Sequence, residues 1–78
     1  MLDKHELATQ FLKELESNGE KLLYARESQK IVLQSDKEVR RLPLWRLDTL
    51  IFQFLVAHAA LAHANVSEVL DEVLSTIM

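Results

Sequence analysis

Three sets of side chains in this sequence are of types that do chemistry: two histidines in HAALAH, two acids in EVLD, and three arginines around LPLW. His58 and His63 are placed to suggest a metal pair, but they stand at i,i+5. On a helix that spacing turns them about 140° apart, whereas a helical metal pair needs i,i+4. Glu68-x-x-Asp71 would put two carboxylates on one helix face, yet acids in a first turn serve the positive end of the helix dipole. No metal and no other cofactor is expected. The chain has no Cys nucleophile, no G-x-S-x-G, no phosphate loop around its single Gly19, and no E-E-x-x-E set for magnesium. It reads as a protein that is not an enzyme.

The basic segment is the richer candidate. Lys37, Arg40, Arg41 and Arg46 surround Trp45, with Lys30 nearby. Arginine holds carboxylate or phosphate bidentately, and tryptophan packs on an apolar surface or stacks on a base. Residues 21–46 carry seven bases against Glu27, Asp36 and Glu38, a net +4 between an amino-terminal segment of −3 and a carboxy-terminal one of −4. Such a band suits an acidic protein partner, with Trp45 and the arginines as interface anchors. Nucleic acid is the alternative partner, disfavoured by the overall net charge of −3 and isoelectric point near 5.5. The plainest reading is arginines that are solvated, or paired with acids such as Glu14 and Glu16.

Positioning these residues requires regular elements, because one Gly and one Pro leave little material for loops. Asp3 with Glu6 forms a capping box, Leu2 and Leu7 suit a hydrophobic staple, and Asn18-Gly19 closes a helix over about 4–17. Leu7, Phe11 and Leu15, joined by Ala8 and Leu12, form its apolar face. Residues 20–25 read as a short helix, extending to about 27, or as a strand around Leu22, Leu23 and Tyr24. KIVLQ and EVRRL flank Ser35-Asp36-Lys37 and suggest a short hairpin near 30–42, with a continuous helix from 20 to 41 as its rival. Pro43 fits a helix start and not a helix interior, so a long helix is expected over 43–64. A last helix over 67–77 follows, capped by Asn65 with Glu68 or by Ser67.

The long helix contains LDTLIFQFLVAHAALAHA, apolar around most of its circumference. A membrane span would suit its length. Asp48, Gln53, His58 and His63 oppose that, since a charged group at a bilayer centre costs about 2.5–3.5 kcal/mol. A second copy of the chain is the simpler cover, with Leu50, Ile51, Phe54, Leu55, His58 and Leu61 as interface candidates. The amino-terminal MLDKHELATQF has no apolar run of signal-peptide length, so a cytoplasmic protein is expected. The sequence thus predicts one small domain over residues 1–78. It is mostly α, with three to four helices and an optional hairpin, an all-α bundle being the alternative. The expected role is a homodimeric interaction module: an adaptor, inhibitor or regulator.

Overall fold

The computed structural model describes residues 3–58 and 64–78. Its elements run α1 (Lys4–Ser17), β1 (Glu20–Ala25), β2 (Lys30–Ser35), β3 (Val39–Arg41), α2 (Leu44–Ala57) and α3 (Val66–Ile77). The three strands form one antiparallel sheet in the order β1-β2-β3. The chain is therefore α+β and not mostly α. Of the two readings of 20–25 the strand is the one present, with a turn over 26–29, and neither the short helix to 27 nor its longer rival to residue 41 forms. EKLLYA contains no β-branched residue, and Lys, Leu and Ala favour helix in isolation. Pairing overrides that preference: Glu20 to Ala25 lie opposite Ser35 to Lys30 along the whole of β2, and a strand is stabilised by such neighbours more than by its own propensity. The hairpin near 30–42 is present as β2 and β3, two strands of the three.

Caps fix where the helices begin and end. The Asp3 side chain accepts from the Glu6 amide at 2.9 Å, and Asn65 does the same for Glu68 at 2.9 Å. Asn65, not Ser67, is thus the cap of α3. Residue Leu2 of the expected staple lies outside the described residues. Pro43 sits just before α2 with φ −63°, and its carbonyl accepts from the Leu47 amide at 3.1 Å. Helix α2 ends at Ala57, with His58 as its cap, so the helix expected to reach 64 is shorter. The His58 amide still donates to the Phe54 carbonyl at 3.1 Å, but its own ψ of 9° has left the helix. Residues 59–63, with His63 and Leu61, lie outside the described residues.

Packing follows the apolar faces. Helix α1 lies on α3 and β1, and α3 lies on α2. Leu7, Ala8 and Phe11 of α1 meet Leu47, Ile51, Phe54 and Leu55 of α2 and Val69 and Val73 of α3 in a single core. The Phe11 and Phe54 rings join α1 to α2 edge-to-face, 5.5 Å apart, a geometry that adds about 0.5–1.5 kcal/mol to their burial. Leu22 and Leu33, opposite each other in the sheet, close this core from below.

The turn from α1 to β1 depends on Gly19, whose φ is +77°. Its amide donates to the Glu16 carbonyl at 3.0 Å, and the Asn18 amide reaches Glu14 and Leu15. An added Cβ would meet only Asp36 Oδ2 at 3.9 Å, an ordinary contact. Replacement therefore carries a conformational cost alone. Gly19→Ala is expected to lower unfolding free energy by about 1–2 kcal/mol with an unchanged urea m-value. A loss near zero would show that the turn relaxes out of the left-handed region.

Candidate interaction surface

Every buried side chain in the described interior is apolar, so candidate chemistry lies at the surface. Among the described residues no group of three or more His, Asp or Glu is placed to hold a metal ion. Glu68 serves Asn65, whose side-chain amide donates to it at 3.1 Å, and Asp71 is exposed. No helix among the described residues is long and apolar enough to cross a membrane.

A groove runs between the carboxy-terminal half of α1, the β3 side of the sheet and α2. Its volume is about 340 Å³, and a shallower extension of about 290 Å³ shares Leu15, Glu20 and Leu50 with it. Two helices that meet at Phe11–Phe54 but stand apart beyond it leave this space. Leu15, Leu33, Leu42 and Leu50 form the apolar lining. Arg40, Arg41, Arg46 and Trp45 line the main groove together with Glu20, while Glu14 lines only the extension. The sheet brings the arginines there: β3 carries Arg40 and Arg41, Pro43 turns the chain, and the first turn of α2 presents Trp45 and Arg46. That turn holds no acid, and Pro43 offers it no side-chain acceptor, so the helix dipole adds positive potential there.

Four of the five basic-segment candidates thus share one cavity. Lys37 does not line it; it is exposed in the β2–β3 turn. Glu14 is taken by His58, Nε2 to Oε2 at 2.8 Å, rather than by an arginine. Arg40 pairs with Glu38 of its own hairpin at 3.2 Å, and both side chains are more than half exposed. Among the described residues Arg41 and Arg46 form no ion pair. Trp45 is 68% exposed, the most exposed large apolar side chain among the described residues.

The interface candidates divide differently. Ile51, Phe54 and Leu55 are buried in the chain's own core and are unavailable to a second copy. Leu50 is half-buried in the groove, and His58 packs on the Phe54 ring at 4.5 Å while it pairs with Glu14. The large apolar side chains that α2 does leave in water are Leu44 in its first turn and then Trp45, Phe52 and Val56, the last three at i, i+7 and i+11 on the face opposite the core. Periodicity alone hid that choice, because Ile51 and Phe52 are equally apolar and only the packing of α3 and α1 selects between them. Leu15, Glu20 and Leu33 were invisible as groove residues because nothing local marks the sheet that assembles them.

Compared with known proteins, the chain matches no family model, no curated protein and no solved structure.

The two faces of α2 separate in a mutational test. Leu55→Asp places a charge in a fully buried site and should unfold the protein outright, by several kcal/mol. Phe52→Asp, on the half-exposed face, should keep the circular dichroism spectrum and cost about 1 kcal/mol or less. Equal losses would mean that the Phe52 face is also covered.

Proposed function

We propose that the protein is a small interaction module. It acts by binding, and it holds an acidic, partly apolar segment of another protein against the Trp45 side of the groove. One coincidence carries the reading. Exposed Trp45 stands with Arg40 and with Arg46, which forms no ion pair among the described residues, beside a leucine-lined groove of about 340 Å³. Arginine and tryptophan are the residue types that dominate binding energy in protein interfaces, and the leucine lining offers a partner's apolar side chain a place to leave water. Nucleic acid is less favoured, because the net charge of −3 over the chain opposes a long polyanion, whereas a short acidic segment need meet only the basic patch.

A displayed random-peptide library panned on the protein should enrich segments that set Asp or Glu beside Leu, Val or aromatic residues. Those peptides should shift the emission of Trp45, the one tryptophan of the chain, to shorter wavelength. Affinity should fall at least about tenfold on the Arg40→Glu, Arg41→Glu, Arg46→Glu triple variant. Enrichment indifferent to acids, or peptides that bind the triple variant equally, sinks the proposal. Tighter binding of a single-stranded oligonucleotide with a steep salt dependence would transfer the site to nucleic acid.

A second reading concerns self-association, and the α2 stripe of Trp45, Phe52 and Val56 favours it. The stripe carries no base and one flanking acid, Asp48, so two copies crossing antiparallel there would oppose no cluster of like charges. Light scattering on the purified chain should then give twice the 9.0 kDa of one copy, reverting to one for Phe52→Asp. A monomeric wild type at about 100 μM would remove this reading, since stable dimers bind well below that.

A further inference from the structure

The arginine-lined groove is bounded by an open strand. In the order β1-β2-β3 the last strand has one neighbour. Its pairing with β2 sets Leu33 opposite Arg40. The Ser35 amide donates to the Glu38 carbonyl at 2.8 Å and the Leu42 amide to the Ile31 carbonyl at 2.8 Å. Alternation in an antiparallel ladder then assigns residues 38, 40 and 42 to β2. The N–H and C=O groups of Val39 and Arg41 point the other way, out of the sheet. Both residues are exposed, Val39 at 62%.

From this geometry we infer that the partner segment binds as an added strand, pairing with the free edge of β3 at Val39 and Arg41. The inference deepens the interaction reading above and rests on it. An extended segment at this edge sends alternate side chains to opposite faces of the sheet. Those on the inner side, the side of Leu33 and Arg40, enter the groove toward Leu42 and Leu50. Those on the outer side lie beside Arg41. Strand addition draws affinity from main-chain bonds and specificity from such alternate pockets.

Charge selects the occupant. Two copies of β3 paired through this edge and centred on Arg40 would set arginine against arginine, and like charges directly opposite are destabilising. An acidic segment meets Arg40 and Arg41 with the opposite sign. It also exchanges with Glu38, which neutralises Arg40 across an exposed 3.2 Å contact. Glu38 is thus an internal competitor for the same guanidinium. With Pro43 ending the edge, few main-chain bonds are available, so binding is expected in the micromolar range.

The test uses the full chain and a blocked peptide, DVEEDLE, whose alternate positions toward Arg41 are all acidic and whose inward positions set one Glu, toward Arg40, between two aliphatics. Binding is read by Trp45 emission and by amide hydrogen exchange. The Val39 and Arg41 amides should exchange at least about tenfold more slowly with saturating peptide, and the Ala25 and Lys30 amides should be unchanged. Two N-methylated peptides, blocked on alternate sets of amides, supply the decisive comparison. One set faces β3 and its methylation should abolish binding, whereas methylation of the other set should be tolerated. Glu38→Gln should tighten the unmodified peptide about twofold, and Arg40→Glu with Arg41→Glu should abolish its binding.

Equal loss with both methylation patterns, or peptide bound without slowed exchange at Val39 and Arg41, overturns strand addition. So does the absence of binding at about 1 mM. If library-selected acidic peptides still bind in those cases, the interaction module stands and only the strand mode falls. If they fail as well, both fall together.

Discussion

One line of cross-strand register joins the core of this protein to its binding surface. Leu22, Leu33 and Arg40 lie side by side across the three strands and share a face of the sheet. The first two are buried beneath α1, and the third ends the row in water at the rim of the groove. A slip of one residue between β2 and its neighbours would bring Lys21 and Gln34 to the inner face and send both leucines out. The hydrophobic cost of that slip holds the register, and the register in turn holds Arg40 over the leucine lining. The placement of a surface charge is thus fixed by two buried side chains that it does not touch.

The groove has an equally simple origin. Val69 and Val73 of α3 are fully buried and lie against both α1 and α2. With α3 filling one side, α1 and α2 need meet only at Phe11 and Phe54, and His58 with Glu14 closes the same end from outside. That outer pair is half exposed and contributes little, about 0–1 kcal/mol. Away from this junction the two helices have no residues large enough to span the gap, since Leu15 and Leu50 reach into it from opposite walls without filling it. A chain of 78 residues can bury only a modest fraction of its surface. It leaves its unfilled space where the sheet ends.

Much of the frame was legible because it is local. Asp3 with Glu6, Asn18-Gly19, Pro43 and Asn65 with Glu68 each act within a few residues, and helix ends follow from such signals. Strand β1 was legible only as one of two readings, because EKLLYA becomes a strand through a partner that begins five residues after it ends. The arginines and Trp45 stood out by type, and four of the five singled-out residues share one cavity. The surplus of apolar surface on α2 was legible in quantity and not in direction. Ile51 and Leu55 face α3 and the core while Phe52 and Val56 face water, and a helix apolar on all sides carries no internal mark of that choice.

Edge strands carry a standing hazard, since unpaired main-chain groups accept any extended chain. Short length and charge are the usual remedies, and β3 has both: three residues, two of them arginine, followed by Leu42 and Pro43. Those remedies are not equivalent. Brevity weakens every partner alike, whereas positive charge weakens only some. Arg40 and Arg41 repel a second copy of the same edge and any basic strand, yet they leave an acidic one unopposed. A lysine at either place would protect as well with a point charge. The planar guanidinium also offers a carboxylate two parallel hydrogen bonds, which protection alone does not require. The same two side chains that keep the sheet from growing with its own kind therefore bias the edge toward an acidic strand, and the leucine-lined groove beside them gives that strand's inward side chains somewhere to go.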